Sequence, residues 1–395
     1  MDFSYPAPVQ SFRRELRAWL SEHLTDDVVA AGRLRGEDAE ALALRRAWDA
    51  TVADAGWGAV SWPREYGGRG ASVLEQLAYA EEIARIRAPL PLNVIGLNNI
   101  GPAIMHFGTE EQKQRLLPRM VRADDIWCQG MSEPEAGSDL AALRTRAVRD
   151  GDHFVVNGQK IWTSLGHHAD WCQLYVRTDP DARKHAGISC LIVDMTLPGI
   201  EARPLVTLNG ATDFAEVFFH DVRVPADALL GPLHGGWGVA TTTLSHERAG
   251  AARLYAALQL QLTDLVADLA AHSVDGRPVL EDSATLRRLG EIAVDVDYLE
   301  LLCKRAISAA LHGGDADGTG ASEATGGGAA SLAKSVWAET GQRMAEFAYD
   351  VLGERQATDR WSEQRLSSRS LTIAGGTTQI TKGITAVRVL GLPRG

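Results

Sequence analysis

Apolar positions recur at helical spacing through the first third of the chain. Phe12, Leu16, Trp19 and Leu20 fall on one side of a helix, and Arg13, Arg14 and Arg17 are left for water, the period expected of an amphipathic helix. The same reading predicts helices over 40–55, 72–85 and 109–122, separated by the turn-rich stretches SWPREYGGRG and RAPLPL, whose glycines and prolines punctuate helices. Near residue 123 the pattern changes to short β-rich runs, HFVVNGQKIW, WCQLYVRT, ISCLIVDM and EVFFHDVRVP. The Asn157-Gly158 pair in the first of these reads as a hairpin turn. From about 236 helical spacing returns, with Leu244, Ala251, Leu254, Leu258, Leu262, Leu265 and Leu269 in one long stripe that implies bundle packing. Residues 313–331, GGDADGTGASEATGGGAAS, lack any period and read as a flexible connection between two long helices. A phosphate loop would require GxxxxGK[ST] after a strand, and neither is there. The pattern therefore predicts an α+β chain in three parts: a helical one over 1–122, a strand-rich one over 123–235 and a helical one over 236–395.

A chain of 395 residues has room for two or three cooperative units. With 45% hydrophobic and 23% charged residues, it has the composition of a folded protein and not of a disordered one. The formal charge of −11 opposes nonspecific binding to nucleic acid or to anionic lipid, while leaving room for a local basic pocket. Cys128, Cys172, Cys190 and Cys303 show neither CxxC spacing nor a histidine cluster, so neither a metal site nor a disulfide scaffold is expected, and a reducing, cytoplasmic setting fits best. The amino terminus lacks an apolar signal core, and no run of ~20 apolar residues is available for a membrane span.

Three separated segments carry the candidate chemistry. The first, CQGMSEPEAGSDLAALRT (128–145), offers a hydroxyl, backbone donors and glycine turns that suit a polar ring edge or a thioester chain; the plain alternative is a surface turn. In the second, NGQKIWTSLGHHADWCQLYVRT (157–178), Trp162 and Ser164 supply an aromatic plane and a hydroxyl, although an isolated strand tryptophan also fits a core. In the third, Gly375, Gly376 and Thr377 precede a helix with Ile380, Ile384 and Val387 on one face. Its exposed N–H groups could meet an anion, or the threonine could simply cap the helix.

Taken together, the three segments resemble the acyl-CoA dehydrogenase family over nearly the whole chain. The first is similar to the family's S/T-E-P-x-A-G-S-D motif, the second to N-G-x-K-x-W-x-[ST]-x-x-x-x-A-D, and the third to G-T-x-x-I-x. The resemblance implies an amino-terminal α domain, a central β domain and a carboxyl-terminal four-helix-bundle-like α domain, with FAD as cofactor. It places Met131 and Ser132 against the flavin ring and Ser138 beside the acyl-CoA path. Trp162 would pack on the flavin and Ser164, where a threonine is usual, would bond its polar edge. Thr377 and Gln379 join the flavin-binding set. The implied reaction removes the α proton of an acyl-CoA while hydride leaves the β carbon for the flavin, with an electron-transfer flavoprotein as onward acceptor.

That reaction needs a carboxylate base, which many members carry just before the Gly-Thr pair. Here that position is Gly375, which cannot accept a proton. A minority of the family places the glutamate in a Glu-Arg pair on a long helix, and Glu247-Arg248 in TTTLSHERAGAARLY occupies that place. Glu247 is therefore the candidate base and Arg248 a candidate substrate or CoA contact; a solvated helix glutamate is the plain alternative.

Assembly is the remaining expectation. Homotetrameric relatives hold the ADP half of FAD across an interface with an arginine in R-x-x-F-G and a glutamine in Q-x-x-G-G. This chain has His272 and Asp350 near those places and Glu354 at the second glycine, and acidic groups disfavour a pyrophosphate. The resemblance thus implies either a homo-oligomer with a divergent interface or a heterotetramer with a related subunit. Competing functions are a catalytically silent structural subunit, an acyl-CoA oxidase, or a flavin monooxygenase on the same fold.

Overall fold

The computed structural model describes residues 4–32, 38–250, 254–312, 321–353 and 359–393; the side chains of 245–250, 309–310, 312, 321–329 and 359 lie outside that description. Helices come first: α1 (Ala7–His23), α2 (Asp26–Ala31), α3 (Ala39–Asp54), α4 (Val73–Arg85), α5 (Gly101–Phe107) and α6 (Glu110–Val121). Seven strands follow: β1 (Trp127–Gly130), β2 (Arg146–Asp150), β3 (His153–Ser164), β4 (Trp171–Arg177), β5 (Ile188–Asp194), β6 (Ile200–Leu205) and β7 (Phe214–Pro225). Then come α7 (Gly236–Gly250), α8 (Leu254–Ala270), the hairpin β8 (Ser273–Val274) and β9 (Arg277–Pro278), α9 (Ser283–His312), α10 (Ala321–Leu352), α11 (Asp359–Ser367) and α12 (Thr378–Arg388).

Contacts divide the chain into two units, one of His23–Ser72 with Ala88–His246, the other of Met1–Glu22, Val73–Arg87 and Glu247–Gly395. The first unit contains the sheet. Its strands run in the order β1-β4-β2-β3-β7-β6, with β5 paired to β4. β1 lies parallel to β4, while β3, β7 and β6 form antiparallel pairs. β4 and β5 are buried on both faces, as expected for strands covered on two sides. On one side, Phe154, Val156, Val217 and Val224 join the β core; on the other, Tyr175 and Cys190 pack with Leu116, Met120 and Val239. α6 starts at a capping box in which Thr109 and Gln112 satisfy each other's backbone N–H. The Gln112 amide then donates to the carbonyls of Asp227 and Leu229, both at 3.0 Å, tying the helix to the chain just after β7.

Asp49 of α3 is buried in this unit, and its carboxylate accepts from the Leu92 N–H at 2.8 Å. Burial pushes its carboxyl up to about 7, against the opposing pull of that hydrogen bond and of Arg45. The folded state then keeps a proton that the unfolded chain releases near 3.8, so stability falls as pH rises from about 4 to about 7 and is level beyond. Asp49→Asn retains an acceptor for Leu92 and should be more stable than wild type by about 1–3 kcal/mol at pH 8, with the gain vanishing below pH 4. Denaturant melts at both pH values check this; a gap independent of pH would contradict it.

In the second unit, the leucine stripe predicted from 244 onward falls on two described helical stretches, with 251–253 outside the described residues. Leu258, Leu265 and Leu269 of α8 are buried with Ile292, Val296 and Phe347 of α9 and α10. Two expectations fail. Residues 321–331, read as part of a flexible connection, belong to α10; Ala330 and Ser331 are buried, and small residues suit a crowded helix face where tertiary packing overrides propensity. The remainder of that stretch, 313–320, lies outside the described residues. Asn157-Gly158 is no hairpin turn either. It sits inside β3, at a register shift against β7 between Val156 and Gly158. Gly158 has φ +154°, and a Cβ there would come within 2.6 Å of the Thr145 backbone. The glycine serves a β-bulge and a close backbone approach instead of a chain reversal.

Candidate functional site

The first candidate segment leaves β1 at Gly130 and is fastened to β3. The Ile161 N–H donates to the Ser132 carbonyl at 2.9 Å, and the Lys160 ammonium donates to the Met131 carbonyl at 3.1 Å and to Glu133 Oε1 at 2.8 Å. Lys160 is fully buried and Glu133 nearly so. The Glu133 carboxylate also accepts the backbone N–H groups of Arg144 (2.6 Å) and Thr145 (2.9 Å). Burial works against this carboxylate, but the adjoining Lys160 ammonium and the hydrogen bonds hold it below the usual range, while burial draws Lys160 below the ordinary ammonium range against the opposing pull of Glu133. Met131 and Ser132 are half-buried at the rim of this arrangement. The plain surface turn weighed for this stretch describes 134–139, which include turns and bends and are exposed apart from Ala136, but not 131–133. The Glu133–Lys160 pair was missed by sequence reasoning, yet alternation along Phe154, Val156 and Gly158 places Lys160 on the inward face of β3, and an inward lysine demands an acidic partner.

Trp162 and Ser164 lie where β3 becomes irregular. Trp162 has φ +59° and Leu165 φ +53°, a left-handed conformation rare for bulky residues and concentrated at functional sites. A second register shift between Lys160 and Thr163 accompanies it. The Trp162 side chain is 57% exposed and meets Phe214 edge to face at 6.0 Å between ring centroids. Ser164, half-buried, pairs with Phe214 across β3 and β7. Trp162 is therefore not a core tryptophan. Ser138 is exposed in the turn after Glu133, which is fastened by contact of Lys184 with Asp139 and by the Arg177 guanidinium, bonded to the carbonyls of Ala141 (2.6 Å) and Leu143 (3.3 Å).

The other candidates belong to the helical unit. Gly375 and Gly376, with φ +67° and +97°, make the turn into α12. Thr377 is the α12 N-cap, its hydroxyl accepting the Ile380 N–H at 3.2 Å; Gln379 is exposed in the first turn. Lys334 of α10, itself buried, donates to the Gly376 carbonyl at 2.6 Å. Glu247 and Arg248 occupy the last turn of α7, and their side chains lie outside the described residues. Structure thus brings Met131 and Ser132 together with the strand that bears Trp162 and Ser164. It assigns Thr377, Gln379, Glu247 and Arg248 to the other unit.

A flavin requires a broad apolar surface for its ring and hydrogen-bonding groups for its polar edge. The exposed Trp162 plane suits the first need. Among the described residues, the buried hydroxyl oxygen of Thr163, next to Trp162, has no hydrogen-bond partner, which suits the second. These residues fit such a group.

Comparison with known proteins agrees. Family profiles match the acyl-CoA dehydrogenase N-terminal domain over residues 8–124, the middle domain over 128–222 and the C-terminal domain over 234–390. Acyl-CoA dehydrogenase IpdE1 of Mycobacterium tuberculosis is 38% identical over 398 residues, covering 98% of each chain. Acyl-CoA dehydrogenase FadE26 of the same organism is 35% identical over 416 residues, covering 100% of this chain and 99% of the other. Among solved structures, a chain of the Tcur3481-Tcur3483 steroid ACAD superposes with a TM-score of 0.85 at 32% identity, over 100% of both chains. A chain of the ChsE4-ChsE5 complex from Mycobacterium tuberculosis does so with 0.84 at 33%, again over 100% of both. The family profiles, the named relatives and the fold together define a flavin-dependent oxidoreductase with a helical, a β and a second helical domain in chain order. This chain belongs to the acyl-CoA dehydrogenase family.

Proposed function

We propose that the protein catalyses FAD-dependent α,β-dehydrogenation of an acyl-CoA thioester to the enoyl-CoA, with Glu247 as the base for the α proton. The observation that carries this reading is the junction of Met131-Ser132 with the strand bearing the strained, exposed Trp162. Bound flavin would supply the two-electron acceptor. Met131, Ser132, Trp162 and Ser164 would hold its ring, Thr377 and Gln379 another part of the cofactor. Ser138 and Arg248 would line the thioester's path. A carboxylate at Glu247 takes up the proton released next to the carbonyl, a role Gly375 cannot fill. The solved Tcur3481-Tcur3483 relative, described as a steroid ACAD, favours a steroid-derived acyl group. An electron-transfer flavoprotein is the proposed onward acceptor and the cytoplasm the proposed setting, with domain limits at 1–122, 123–235 and 236–395. No described helix is long and apolar enough to cross a membrane. The test is to extract and identify the cofactor, then incubate the enzyme with straight, branched and steroid acyl-CoA thioesters and weigh the products. FAD and a product lighter by two hydrogens are expected; oxygen consumption matching turnover would instead indicate an oxidase or a monooxygenase.

The assembly proposed is a heterotetramer with a related subunit; the ChsE4-ChsE5 structure above is likewise a complex of two differently named components. It is supported by a groove of about 780 Å³ beside the β8–β9 hairpin, lined by Glu281, Asp282 and Asp350 as well as Arg277. Asp350 is bonded to Arg288 at 2.9 Å, so that arginine is already engaged, and His272 is buried. Glu354 lies outside the described residues. Such an acidic lining is poorly suited to a partner's pyrophosphate. Coexpression with the related chain should give a mixed tetramer with fewer than one FAD per chain, read by light scattering and flavin absorbance. A fully active homotetramer with one FAD per chain would contradict it.

A further inference from the structure

A buried chain of polar side chains crosses the otherwise apolar space between the sheet and α7. Gln129 of β1 donates to Gln173 Oε1 on β4 at 2.8 Å. The Gln173 amide reaches Thr243 Oγ1 on α7 at 3.4 Å, and the Tyr175 hydroxyl lies 3.2 Å from the same oxygen. Thr243 in turn donates to the Val239 carbonyl at 2.9 Å, leaving its two lone pairs to accept from Gln173 and Tyr175. Gln173, Tyr175 and Thr243 are fully buried, among apolar neighbours that include Val239, Ala240 and Ile192. Apolar residues of the same size would fill this space without the desolvation of an amide and two hydroxyls. What the polar chain adds is direction, because hydrogen bonds fix the rotation and register of α7 on β4 where apolar packing tolerates sliding.

The two ends of the chain are informative. Gln129 stands two residues before Met131, at the start of the segment assigned to the flavin. Thr243 stands four residues, about one helical turn, before Glu247 on the same helix. We infer that Gln173, Tyr175 and Thr243 are positioning residues that fix the helix bearing the base relative to the strand leading into the flavin segment. The inference rests on the reading of Glu247 as base.

The test compares Thr243→Val, which keeps the shape and removes the shared acceptor, with Thr243→Ser, which restores it, and with the milder Tyr175→Phe. Glu247→Gln is measured alongside. Thr243→Val should lower kcat about tenfold with KM and flavin content nearly unchanged, the scale of a displaced catalytic group. An α-deuterated acyl-CoA should show a larger isotope effect on kcat, and the acidic limb of the kcat–pH profile should move. Thr243→Ser should recover most of the rate, and Tyr175→Phe should lose about threefold. A lowered Tm with wild-type kcat per flavin and an unmoved pH profile in Thr243→Val and Tyr175→Phe would mean structural roles only and overturn the inference. If Glu247→Gln is inactive in that case, the base reading survives by itself; if Glu247→Gln turns over like wild type, both fall.

Discussion

Glu247→Gln should abolish substrate-dependent flavin reduction by on the order of a hundredfold or more, the effect of removing a positioned general base, while fold and flavin content persist. The reason lies at Gly375. The place at which the family resemblance expects the base in many members is Gly375, a left-handed turn residue with φ +67°, and no side chain there can take a proton. A glutamine at 247 preserves the size and helix compatibility of the residue, so a loss of rate would report the carboxylate itself. Single-turnover flavin reduction under anaerobic conditions is the direct readout, and Glu247→Asp, with its shorter reach, should fall between the two. Equal rates in wild type and Glu247→Gln would remove Glu247 from the mechanism.

Glu82→Gln should destabilise the helical unit by about 2–4 kcal/mol, the range for breaking a buried, hydrogen-bonded ion cluster. Glu82 of α4 is buried, and its carboxylate accepts from Arg13, Arg17 and Arg85 at 2.6–3.0 Å. The adjacent Glu81 takes a hydrogen bond from Tyr5 at 2.9 Å and another from Tyr255. These contacts join α1 to α4 through the Glu82 cluster and α4 to α8 through the Glu81–Tyr255 hydrogen bond. Burial alone would raise the Glu82 carboxyl, but the hydrogen bonds of the three arginines outweigh it and bring the value down to about 2. The sign follows from linkage: the contribution is present above the ordinary value of 4.5 and is lost as pH falls from there toward 2. Chemical denaturation at pH 7 and pH 3 should therefore show a smaller difference between wild type and Glu82→Gln at the lower pH. A difference below 1 kcal/mol at pH 7 would show that the arginines are equally well solvated without their acceptor.

Much of the architecture was legible because its elements are amphipathic. Phe12, Leu16 and Leu20 are the buried face of α1, and the β-rich runs became strands of one sheet. The misread places are those where local chemistry serves a long-range contact. Asn157-Gly158 has the composition of a turn, but Gly158 is needed because Thr145 approaches from another strand. Residues 321–331 have weak helix propensity, yet they continue α10, where Ala330 and Ser331 are packed into the interior. At the candidate site, motif spacing singled out Met131, Ser132, Trp162 and Ser164 as candidates, but the contacts that support them were harder to see. The Glu133–Lys160 pair joins residues 27 apart, and Gln173 and Thr243 are 70 apart. Pairing at such separation leaves little local trace beyond a polar residue at an inward strand position. The exposure of Trp162 was equally hidden, because it follows from a backbone irregularity that periodicity does not encode.

The measurement that bears most directly on the proposed activity is anaerobic titration of the purified, flavin-loaded protein, with its related subunit where required, by a panel of acyl-CoA thioesters. Bleaching of the oxidised flavin band by at least one thioester, with the matching enoyl-CoA formed in equal amount, is the predicted result. A protein that retains its flavin but is bleached by none of them, while dithionite still reduces it, would contradict the assignment.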